Sequence, residues 1–135
     1  MVYRKDWGQP QQGGQGFART MKCYGRKANV TAADNVTGNV IGMFTIPNNF
    51  KVLGMFGTTT NMGAAMVFNL GDAGNSSRFG SAVAGSAAAD LPAMPVAARF
   101  FTTTADSTDI QLTITTQSSA PVAGIVEMYL WGFIL

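Results

Sequence analysis

The chain has 135 residues, enough for one domain with a buried core and too few for a second of ordinary size. Only 12% of residues are charged and none is histidine, against roughly 25% charged in an average soluble domain; Ser-His and Cys-His pairs and every histidine metal site are thereby excluded. The net charge of +2 is unevenly placed, since Arg4, Lys5, Arg19, Lys22, Arg26 and Lys27 precede residue 28 and leave Lys51, Arg78 and Arg99 against six acids in the remainder.

Residues 1–18 hold Gly8, Gly13, Gly14, Gly16, Pro10 and four glutamines. Such a stretch is too polar to bury itself and reads as an extended or disordered arm, with the folded domain over residues 19–135. The arm also carries Tyr3, Trp7 and Phe17 beside Arg4, Lys5 and Arg19. Spaced aromatics and cations suit docking onto a partner with ordering on contact; a plain tail is the other reading. The polar start is unlike a signal peptide, and no apolar run reaches the roughly 20 residues of a membrane helix.

A first strand is expected near Thr20 to Thr31, with Met21, Cys23 and Gly25 on one side and Lys22, Tyr24 and Arg26 on a cationic exposed side. Cys23, the sole cysteine, reads as a small buried apolar residue and excludes an intrachain disulfide. Val40 to Phe79 then supplies three short apolar runs closed by turn residues, the pattern of consecutive β-strands. In the first run Val40, Gly42, Phe44 and Ile46 share one face, with Ile41 and Met43 on the other, and Pro47 ends it. In the second, Val52, Gly54 and Phe56 oppose Leu53 and Met55; in the third, Met66, Phe68 and Leu70 point inward. Strands apolar on both faces need cover on both, and a second subunit would supply it.

Gly71 to Leu91 is dominated by Ala, Gly and Ser. It reads as an excursion from one sheet to the other, with a short helix near Ser81 to Ala89 weakened by its glycines. A strand is expected from Val96 to Thr103. Asp109 to Gln117 alternates cleanly, with Ile110, Leu112 and Ile114 inward. Ala123 to Phe133 follows with Val126, Met128 and Leu130 on one face and Glu127, Tyr129 and Trp131 on the other. These last two strands read as a hairpin with a four-residue connection. Seven strands and one crossing segment predict an all-β, antiparallel two-sheet sandwich of jelly-roll type with an extended N-terminal arm; a closed small barrel is the alternative.

No residue set points to catalysis, to a cofactor or to a metal. The carboxylates are scattered, Asp72 with Asn75 and Ser76 is too poor in charge for calcium, and Gly71 and Gly74 lack the Gly-Lys-Ser/Thr of a phosphate loop. Asp72 reads as a turn-closing residue, with Arg78 paired to it inside the loop in preference to a neighbouring subunit. The candidate subunit interface is Ile41, Met43, Tyr129 and Trp131. The candidate partner contacts on the arm are Tyr3, Arg4, Lys5, Trp7, Phe17 and Arg19.

Three stretches carry a resemblance. They are Ile46, Pro47, Phe50 and Val52; Leu70, Gly71, Asp72, Arg78 and Phe79; and Asp109, Ile110 and Leu112. Over residues 30–133 this order resembles a group of jelly-roll decoration, or cement, proteins of tailed bacteriophages. Two departures are visible, Asn49 where the turn usually has glycine and Ser77 where an aspartate commonly precedes the arginine. The resemblance implies a non-enzymatic virion protein on the capsid surface that oligomerises as a dimer or trimer and bridges major capsid proteins, with no nucleic-acid or membrane partner. A minor tail or fibre-base component is the runner-up.

Overall fold

A computed structural model describes residues 21–135. They form eight strands: β1 Met21–Val30, β2 Val40–Pro47, β3 Phe50–Thr59, β4 Val67–Gly71, β5 Gly80–Ala84, β6 Ala89–Asp90, β7 Ser107–Thr116 and β8 Gly124–Ile134. One antiparallel sheet has the order β1-β8-β3-β6 and the other β2-β7-β4-β5. Successive strands alternate between sheets except at β4-β5, which is the double Greek-key path of a jelly roll. The expected sandwich is therefore present, and the barrel is not.

The core lies between the sheets. Ile110, Leu112 and Ile114 of β7, Val126, Met128 and Leu130 of β8, and Phe68 and Leu70 of β4 are all wholly buried. Strict alternation places each set on one face of its strand. Phe50, Phe79, Met62 and Met66 fill the ends of the same core.

Two bulges change faces that alternation alone would assign. In β2 the register with β7 shifts between Gly42 and Phe44, leaving Met43 as the extra residue. Met43 and Ile46 are buried, and Ile41 and Phe44 pack half-buried against the core. All four apolar residues thus turn the same way, where alternation predicts two faces. A second shift, between Val52 and Gly54 of β3, sends Met55 toward the core and Phe56 outward.

Three further expectations are corrected. β7 and β8 do not form a hairpin, because each is a central strand of a different sheet; Ser118 to Pro121 turns the chain across the sandwich. Gly71 to Leu91 does cross between sheets, but through β5 and β6 with no helix. Val96 to Thr103 is a 3-10 turn at Val96–Ala98 followed by a stretch laid along β3, with Val52 N–H donating to Phe101 O and Thr103 N–H to Phe50 O. Thr103 Oγ1 donates to Pro47 O at 2.6 Å and accepts from Phe50 N–H at 3.0 Å, holding this stretch against the β2–β3 turn.

That turn explains why asparagine can stand at position 49 in place of a turn glycine. Asn49 has φ +59°, the left-handed conformation that glycine and asparagine tolerate best. Its N–H donates to Asn48 Oδ1 at 2.8 Å and to Thr103 O at 3.1 Å.

A candidate docking face on the outer sheet

The two outer faces of the sandwich differ. On the β2-β7-β4-β5 sheet the exterior is polar, with Thr113 of β7 flanked by Val40 and Asn69 and Gln111 flanked by Gly42 and Gly71. On the β1-β8-β3-β6 sheet the exterior is aromatic. Register places Met21, Phe133 and Lys51 in one row, Cys23, Trp131 and Gly54 in the next, then Gly25, Tyr129 and Phe56, then Lys27, Glu127 and Thr58. Phe56 is 53% exposed, Met21 47% and Trp131 38%. Neighbouring rows of large apolar groups left open to water mark a contact surface better than scattered single ones do.

The rings are set by what lies beneath them. Phe56 and Tyr129 stack at 5.1 Å between centroids with 21° between planes, a favourable cross-strand pair. A Cβ on Gly25 would collide with the Tyr129 ring, and one on Gly54 with the Trp131 indole. Each aromatic therefore lies flat over a strand position that only glycine can occupy. The Tyr129 hydroxyl donates to Glu127 Oε1 at 2.5 Å. That bond to the carboxylate, with desolvation and the negative charge of Glu127 adding to it, holds the phenol above the ordinary tyrosine range.

Beside the stack is an open groove of about 470 Å³ between β3, β8 and the chain leaving β6. Phe56, Tyr129, Leu91 and Pro92 supply apolar walls, and Asp90 and Glu127 supply two carboxylates. Neither carboxylate forms a salt bridge among the described residues, where the bridged pair is Arg78 and Asp72, and Lys27 lies directly across the ladder from Glu127.

The predicted interface residues separate. Tyr129 and Trp131 lie on the aromatic face as expected, but Met43, 3% exposed, belongs to the core, and Ile41 packs against that core on the opposite sheet. The bulge in β2 is the cause. Phe56, which completes the face, was assigned by alternation together with Val52; the bulge after Val52 reverses it. Cys23 is exposed on this same face, which corrects the buried reading. Lys22, Tyr24 and Arg26 sit on the core side of edge strand β1, where Tyr24 meets Phe50 edge-on at 5.1 Å and the two cations reach solvent at the rim. The arm contacts Tyr3, Arg4, Lys5, Trp7, Phe17 and Arg19 lie outside the described residues.

The Asp72 loop is structural. Asp72 Oδ1 accepts from Gly74 N–H and Asn75 N–H, each at 2.9 Å, and Oδ2 accepts from Arg78 Nε at 2.6 Å. The carboxylate is spent on closing its turn and on the arginine. Among the described residues no three of Cys, Asp and Glu come together as a metal site would require.

No family model and no curated protein matches the chain. Two solved structures contain chains of the same fold. One belongs to the cyanophage Pam1 capsid asymmetric unit, at 20% identity over 90% of each chain with a TM-score of 0.73. The other belongs to the capsid of Ralstonia phage GP4, at 12% identity over 84% of each chain with a TM-score of 0.71. At these identities the likeness establishes the jelly-roll fold.

Proposed function

We propose that this protein is a non-enzymatic structural component of a phage virion that binds the outside of the head and bridges adjacent major capsid proteins. The observation that supports the reading is a jelly roll matched over 90% of both chains by a chain of a phage capsid asymmetric unit, with one outer face aromatic and exposed among the described residues. The resemblance at Ile46, Pro47, Asp72, Arg78 and Phe79 supports the same class.

In this reading the β1-β8-β3-β6 face, centred on Phe56, Tyr129 and Trp131, meets a sister subunit in a homodimer or homotrimer. The N-terminal arm, from Tyr3 to Arg19, reaches the capsid surface. The polar face of the other sheet meets solvent. A protein that binds only the assembled lattice stabilises it by RT ln(1 + [L]/Kd) per site, about 2.7 kcal/mol at a hundredfold excess over Kd. Repetition over a symmetric shell adds avidity without new contacts.

The test is to incubate the purified protein with heads prepared without it and to reconstruct the particles by electron cryomicroscopy. Regular density over the outer lattice is the expected result. Bare heads, with the protein found instead at a tail or fibre base, would overturn the decoration role in favour of a minor tail component.

A further inference from the structure

Phe100 is held where an aromatic side chain is seldom found. Its φ is +65°, in the left-handed region that strains a bulky residue, and its ring is 63% exposed. Two backbone bonds fix it there, Phe100 N–H donating to Val52 O at 2.8 Å and Phe101 N–H to Ala98 O at 3.1 Å. Lys51, which shares a row of the outer face with Met21 and Phe133, brings its Nζ 5.2 Å from the ring centroid. Arg99 is exposed and lines the same shallow hollow as Phe100. One end of the aromatic face therefore carries a projecting ring with two cations beside it.

The other end carries the complement. The groove of about 470 Å³ offers Phe56, Tyr129, Leu91 and Pro92 to a ring and Asp90 and Glu127 to a cation. Lys27, across the ladder from Glu127, offsets one of those charges. The groove end is thus one unit negative and the Phe100 end two units positive, a match on a chain with only 12% charged residues. The two cannot meet within one chain, because the rows of Lys51 and Glu127 lie six residues apart along β8, about 20 Å. Between copies they can. Three strands and the stretch beside β3, about ten residues long, span roughly 600 Å², near the ~800 Å² that each partner of a stable complex buries.

We infer that Phe100 of the partner subunit seats in this groove, against Phe56 and Leu91, while the partner subunit's Lys51 and the partner subunit's Arg99 face Asp90 and Glu127. The ring end and the groove end are different patches, so the contact forms twice in a twofold pair and between neighbours in a closed ring. Burial of the ring offsets the backbone strain that a lone subunit bears. This deepens the sister-subunit reading of the face and rests on it, whereas the capsid partner does not enter.

The test is sedimentation of the full chain over a range of concentrations, without heads. Wild type should associate reversibly. F100G suits the backbone to its φ and removes the ring. It should unfold in urea no more readily than wild type, yet associate about thirtyfold more weakly or worse. K51E and D90K should each weaken association about tenfold, and the chain carrying both should associate more tightly than either single variant. A purely structural role for these surface groups would give no such rescue. Four results would overturn the inference: a monomeric wild type, association indifferent to F100G, an F100G chain less stable than wild type, or no rescue in K51E/D90K. A monomer that still decorates heads would sink this contact alone; an oligomer that leaves heads bare would sink the virion reading alone.

Discussion

Arg78 is held between two groups at once. Its Nε lies 2.6 Å from Asp72 Oδ2 and its guanidinium sits 3.9 Å above the Phe101 ring. Because Asp72 also accepts two backbone N–H groups and is 5% exposed, it is the joint on which the β4–β5 loop and the stretch before β7 depend. Asp72→Ala leaves two N–H groups and a part-buried cation unsatisfied, and should cost about 2–4 kcal/mol in urea unfolding. Arg78→Ala, with the cation 23% exposed, should cost less. The double variant should fall short of the sum.

Met43 and Trp131 were placed together by sequence and are separated by structure, so their substitutions should diverge. Met43→Ala opens a cavity in the core and should cost about 2–5 kcal/mol. Trp131→Ser removes an exposed ring and should change stability by about 1 kcal/mol or less. In the proposed role the second variant, not the first at permissive temperature, should lose assembly, which sedimentation and head binding would show.

The glycines under the rings make a coupled prediction. Gly54→Ala forces the Trp131 indole off the sheet and should cost about 1–3 kcal/mol. Part of the strain with the ring should be absent when Trp131 is already alanine. A cost unchanged in that background would show that the backbone bulge at residues 52–54, and not the ring, requires glycine.

At the β2–β3 turn, Asn49→Gly should be neutral to within a few tenths of a kcal/mol or slightly stabilising. Asn49→Val should cost about 1–2 kcal/mol, because a β-branched residue at φ +59° is strained. Thermal unfolding of the two variants measures the difference.

Tyr129 should deprotonate above the ordinary tyrosine range. Its phenol donates to Glu127, so folding favours the protonated form. The sign follows: this contribution is present below the unfolded tyrosine value, near 10, and is lost as pH rises through the higher folded value. The difference between wild-type and Y129F ultraviolet titrations isolates the group. Glu127→Gln, which keeps an acceptor but removes the charge, should lower its midpoint.

How much was legible depended on whether alternation survived. β7 as far as Ile114 and the core side of β8 could be read residue by residue because nothing interrupts their period of two there; the shift of β7 against β4 falls after Ile114. β2 and β3 could be found but not oriented, since one extra residue at Met43 and another at Leu53 reverses every later side chain. β5 and β6 were hidden in Ala, Gly and Ser, which carry almost no pattern. Turn residues such as Ser118 and Pro121 announce a reversal without saying whether the chain stays in its sheet, and so β7 and β8 read as a hairpin. Of the docking face, Tyr129 and Trp131 were visible on β8. The roles of Gly25, Gly54 and Phe56 were not, because they arise from cross-strand register.

β8 lies between β1 and β3 and is the last strand of the chain. The first strand therefore has no ladder partner until β8 has been made. During synthesis the N-terminal half cannot settle stepwise into its own sheet, and the sandwich closes only after β8 has left the ribosome. A chain without β8 would leave β1 with no ladder partner and β3 with only the short β6, so quality control of this fold is built into the order in which its parts emerge.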